Sequence, residues 1–147
     1  MLTYAMPRLF TWERTHFTQR AYFPVPGTRL ALVGVLLVLT DVRLVFAPAR
    51  LLGLPGFGEG AVQRRWVDLR DIAAIEPVGR AGIRVRTRSG RTVSVRVVLP
   101  DGSTFIWSSE EPITPYRDET VRRITEACAR AGEPGGPFGP VRRGPDA

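Results

Sequence analysis

At 147 residues, with 44% hydrophobic and 24% charged residues, the chain suits one globular domain and is neither largely disordered nor membrane-embedded. The formal charge of +7 favours anionic partners, and a single cysteine, Cys128, excludes an internal disulfide framework or a cysteine-built zinc site. Every basic residue is arginine, which with the abundant Ala, Gly and Pro fits a GC-rich bacterial genome as well as selection for charge.

Residues 1–16 mix Tyr4, Phe10 and Trp12 with charges in no clean period and are set apart as an N-terminal extension. They lack the apolar stretch and cleavage site of a secretory signal, so a cytoplasmic protein is expected, peripheral at the inner face of the membrane if it docks there. Phe17–Phe23 is predicted as a strand, ended by Pro24, Pro26 and Gly27. Arg29–Thr40 is a long strand whose apolar run is too short to cross a bilayer as a helix. A two-residue turn at Asp41 and Val42 leads into Arg43–Phe46 and sets Leu39 against Leu44 and Leu37 against Phe46.

Pro48–Arg65, with four glycines and Pro55, is a long connection without a regular element. Trp66–Val78 resumes a strand-like pattern, broken at Arg70 and Asp71, with Trp66, Leu69, Ile72 and Ile75 expected in the core. Next come two clearly alternating strands. A three-residue loop, Arg88–Gly90, pairs Val85 with Val93 and Arg84 with Ser94, whereas a two-residue turn mixes the faces. The turn Pro100-Asp101-Gly102 extends this to a third strand, with Val97 against Phe105 and Val95 against Trp107. An amphipathic helix follows, with Thr114 as N-cap, Pro115 at the first helical position, an apolar stripe of Val121, Ile124, Cys128 and Ala131, and a stop at Gly132. The stretch 132–147, rich in Gly, Pro and Arg, is expected to be disordered.

Seven strand-like segments followed by one helix is the element order of the pleckstrin-homology superfold. Residues 34–46, running from Gly34 through Leu39-Thr40 into Arg43-Leu44-Val45-Phe46, resemble the GRAM-domain signature, in which a strand passes a Leu-Thr turn into Arg-Leu-x-Phe. Val67-Asp68-Leu69-Arg70-Asp71-Ile72 resembles the Leu-x-Asp-Ile segment that follows in that family. The resemblance covers residues 17–131 and implies a mainly β (α+β), PH-like open barrel of two antiparallel sheets, capped by one C-terminal helix. GRAM domains bind membranes in some cases and proteins in others, so a non-enzymatic binding module is expected, with a protein partner or an anionic phospholipid surface as its target.

Two surfaces are candidates for that docking. Arg84, Arg86 and Arg96 alternate outward on neighbouring strands, and Arg20 and Arg29 flank the first hairpin loop, so together they offer an anion-binding face. The loop Arg50, Leu51, Leu52, Leu54 and Phe57, bounded by Arg64 and Arg65, pairs apolar tips with basic flanks, as membrane insertion or a protein groove requires. Self-assembly through strand edges is the alternative. Nucleic acid is disfavoured because no aromatics interleave with the exposed arginines. His16 stands without metal-ligand spacing beside it, Cys128 falls on the helix's apolar stripe, and the glycine-rich segment 56–60 lacks the ending of a phosphate loop, so no catalytic group, metal or cofactor is expected.

Overall fold

The computed structural model describes residues 2–24, 31–51, 54–55, 66–99 and 113–132. Within them the chain forms β1 (Leu2–Tyr4), β2 (Thr15–Pro24), β3 (Ala31–Thr40), β4 (Arg43–Leu51), β5 (Leu54–Pro55), β6 (Trp66–Asp68), a 3-10 turn (Leu69–Asp71), β7 (Ile72–Val78), β8 (Gly82–Thr87), β9 (Thr92–Val97) and α1 (Ile113–Gly132). Seven strands follow one antiparallel path, β1-β4-β3-β2-β9-β8-β7, while β5 and β6 pair with β4 beside it. The two expected sheets meet at a short junction, Ala21 opposite Val97 and Tyr22 opposite Arg96, and so run as one. Among the described residues the path does not close, and α1 packs across β7, β8 and β9. This is a mainly β architecture with a single helix, in keeping with a PH-like α+β fold.

Both hairpin registers match the sequence reading. Leu39 faces Leu44 and Leu37 faces Phe46, with all four buried. Val85 faces Val93 and Arg84 faces Ser94, and Gly90 takes the positive φ of 91° that the three-residue loop demands. Side chains alternate across a strand, so one face of β8 buries Ile83 and Val85 while the other exposes Arg84 and Arg86. The core lies between the inner sheet face and α1, joining Leu37, Leu44, Phe46, Leu69 and Ile83 to Ile113 and Ile124.

A second apolar cluster sits on the opposite face of β3 and β4. Val38, Val45 and Ala47 are buried there, with Tyr4 and Leu36 packed against them. The strand run Leu36–Leu39 is apolar at every position because both of its faces are covered. Part of that cover comes from the N-terminal segment that composition sets apart, through Tyr4. β1 pairs with β4 from Leu2 opposite Leu51 to Tyr4 opposite Ala49, and the Ala5 N–H donates to the Pro48 carbonyl at 2.9 Å. Full burial of each valine contributes about 2 kcal/mol, so this strap belongs to the fold's stability.

Several expectations change. β4 continues through Pro48 to Leu51 and returns as β5, so the start of the long connection is regular, because β1 and β5 supply partners there. Trp66 is 40% exposed instead of core, since Val67 takes the inward position of β6. Val97 is not available to Phe105, because β2 holds one of its sides and β8 the other, the Val97 N–H donating to the Ala81 carbonyl at 2.9 Å; residues 100–112 lie outside the described part. The helix begins at Ile113, and the Thr114 hydroxyl donates to the Arg80 carbonyl at 3.1 Å instead of capping. Its buried stripe is Ile113, Arg117, Thr120, Ile124, Ala127 and Ala131, which leaves Val121 and Cys128 at the margin.

Candidate functional site

Register places four arginines on one sheet face. Tyr22 lies opposite Arg96, Arg96 opposite Gly82, and Arg84 opposite Ser94, so Arg20, Arg96, Arg84 and Arg86 project from β2, β9 and β8 to the same side. Glu76 of β7, opposite Arg84, is the acid set among them. It pairs with Arg86 Nη2 at 2.5 Å and lies 3.8 Å from Arg84 Nη1. Among the described residues Glu76 is the carboxylate beside Arg84 and Arg86, and the arginines outnumber it on this face. Arg84 and Arg86 are exposed, while Arg20 and Arg96 are half-buried. Such a face concentrates anions near it, and its exposed ion pairs hold their arginines only weakly.

The remaining expected positions divide into two groups. Arg29, Leu52, Phe57, Arg64 and Arg65 lie outside the described residues. Arg50 and Leu51 end β4 and Leu54 starts β5, with Leu51 opposite Leu54 and Arg50 opposite Pro55 in a tight hairpin.

A polar centre absent from the sequence reading holds the strap. Glu13 accepts hydrogen bonds from Arg43 Nε at 2.9 Å, Arg43 Nη2 at 3.0 Å, the Thr40 hydroxyl at 2.6 Å and the Phe10 N–H at 3.1 Å. The same Thr40 oxygen accepts the N–H groups of Val42 and Arg43, which fixes the turn despite its β-branched Val42. Arg43 Nη2 also reaches the Arg8 carbonyl at 2.9 Å. Burial pushes the Glu13 carboxyl up, but the hydrogen bonds from Arg43, Thr40 and Phe10 outweigh it and hold the group below the ordinary glutamate value. Thr40 and Arg43 flank the β3–β4 turn, and their convergence on Glu13 joins that turn to the N-terminal segment.

A scan against protein-family models, a search of curated proteins and a search of solved structures each return no match.

Three other groups have structural roles. Arg117, buried on α1, donates to the carbonyls of Gly79 at 2.9 Å and Gly82 at 3.4 Å and to Asp118 at 2.7 Å, tying the helix to the β7–β8 turn. Cys128 lines a cavity of about 280 Å³ with Leu69, Arg70, Ile72, Arg88 and Gly132, and burial pushes its thiol up to about 11, so it stays protonated and unreactive at neutral pH. His16 is exposed and pairs with Asp41. Among the described residues no group of three or more His, Cys, Asp or Glu could hold a metal, and no helix is long and apolar enough to cross a membrane.

Proposed function

We propose that this chain is a non-enzymatic, GRAM-like binding module that docks peripherally on an anionic phospholipid surface at the inner face of the membrane. The observation that carries this reading is the convergence of Arg20, Arg84, Arg86 and Arg96 on one face of three adjacent strands, with Glu76 the acid beside Arg84 and Arg86 among the described residues. Basic residues near an anionic leaflet contribute about 1 kcal/mol each, so four of them suffice for reversible docking but not for permanent anchoring. A face of this kind reads charge density and membrane surface, not one headgroup.

The test is flotation with vesicles of phosphatidylcholine alone and of phosphatidylcholine with phosphatidylserine, at low and physiological salt. Binding is expected only with phosphatidylserine and should weaken as salt rises. Arg84→Gln with Arg86→Gln should lower affinity about 30-fold, which is about 2 kcal/mol. Equal binding by parent and variant, or none to the anionic vesicles, refutes the reading and moves the target to a protein partner.

A further inference from the structure

The strap presents aromatic rings to solvent. Phe10 is 56%, Trp12 39% and Trp66 40% exposed. Phe10 and Trp12 stack with centroids 5.2 Å apart and planes 6° apart. The Arg43 guanidinium carbon lies 5.5 Å from the Phe10 centroid and 5.0 Å from the Trp66 centroid, so these two rings are at most about 10.5 Å apart. Arg43 is fixed in turn by Glu13, whose side chain is fully buried. The three rings therefore form a preset surface joined through one immobile cation. Exposed aromatic rings gathered in this way around a fixed cation on a small domain offer a contact surface.

The chain itself carries a matching occupant. Beyond Gly132, in residues outside the described part, Pro134, Pro137 and Pro140 recur at intervals of three. A polyproline II strand has three residues per turn and rises about 3.1 Å per residue, so this spacing sets three prolines along one side, about 9 Å apart. The rings of Phe10 and Trp66, at most about 10.5 Å apart, lie within the span of three prolines so spaced. Between the prolines stand Gly135, Gly136, Phe138 and Gly139, so Phe138 is the one bulky side chain among them. Docking of proline-rich strands on aromatic side chains is an established recognition mode.

The starting point allows it. Gly132 lines the same cavity as Leu69 and Arg70, and Leu69 is three residues from Trp66. Three residues span about 10 Å, and the fifteen beyond Gly132 reach about 50 Å when extended, well over what is needed. Tethering also raises the local concentration of the segment to about the millimolar range, so a weak contact is enough.

We propose that residues 134–140 of this chain dock on the patch formed by Phe10, Trp12 and Trp66, with prolines against the rings. The test uses the full chain labelled with nitrogen-15 and a variant carrying Pro134→Ala, Pro137→Ala and Pro140→Ala. The indole N–H resonances of Trp12 and Trp66 should move in the variant, with at least a two-fold rise in iodide quenching of tryptophan, while the amides of β8 and β9 stay in place. A synthetic peptide of residues 133–147, added to the variant at millimolar concentration, should return both indole resonances toward the parent positions. Identical indole resonances in parent and variant overturn the proposal. Shifts that grow with protein concentration overturn it in favour of a second copy's segment. Protection of the rings by phosphatidylserine vesicles, the same with or without the prolines, overturns it in favour of lipid.

Discussion

Glu13→Ala isolates the centre that holds the strap. The substitution removes the acceptor for both Arg43 nitrogens, for Thr40 and for the Phe10 N–H, and leaves a guanidinium whose side chain is 7% exposed. Taking one partner from a buried ion pair costs about 3–5 kcal/mol, because the other charge stays desolvated. For a chain of this size that corresponds to a fall in Tm of roughly 6–20 °C, a large share of the 5–15 kcal/mol that typically separates folded from unfolded. Thermal melts by circular dichroism and urea titration at pH 7 measure it. The double variant Glu13→Leu with Arg43→Met should recover most of the loss, since apolar residues of similar volume often replace a buried pair at little cost. A loss under about 0.5 kcal/mol for Glu13→Ala refutes the reasoning. So does an equal loss in the double variant, because no charge is then left unpaired.

Three further outcomes follow from the same contacts. Glu13 is held below its ordinary value in the folded state, so its contribution is complete above about pH 4.3 and is lost as pH falls through the lowered folded value; the urea midpoint of the parent should fall more between pH 7 and pH 3 than that of Glu13→Ala. Arg117→Met leaves the Gly79 and Gly82 carbonyls without their buried donor and should cost about 2 kcal/mol in urea, with faster amide exchange along α1. Gly82→Ala would place a Cβ 2.5 Å from the Val78 carbonyl oxygen, so the β7–β8 turn must shift, at a cost of about 1–3 kcal/mol in thermal melts.

The parts of the fold legible in the sequence are those fixed by neighbours along the chain. Leu39 against Leu44 and Val85 against Val93 follow from a turn length and an alternation, both local. The arginine face followed from the same alternation, and register extended it across the junction to Arg20. The strap was hidden because Glu13 and Arg43 are thirty residues apart and no period links them. One signal was present all the same: an antiparallel strand reading Leu36-Leu37-Val38-Leu39 with no polar alternation requires cover on both faces, which a segment outside the strand pattern has to provide. Arg117 escaped for a related reason. A charged residue is assigned to the outside of a helix unless its carbonyl partners can be foreseen, and Gly79 and Gly82 lie more than thirty residues earlier.

Pro77 gives the molecule a built-in limit on growth. β7 is the last strand on the sheet path, and Pro77 lies within it opposite Ile83. Another copy adding itself to that rim would need an unbroken row of donors and would meet a residue that has none. Among the described residues, a single pyrrolidine ring thus disfavours fibre-like stacking through this rim.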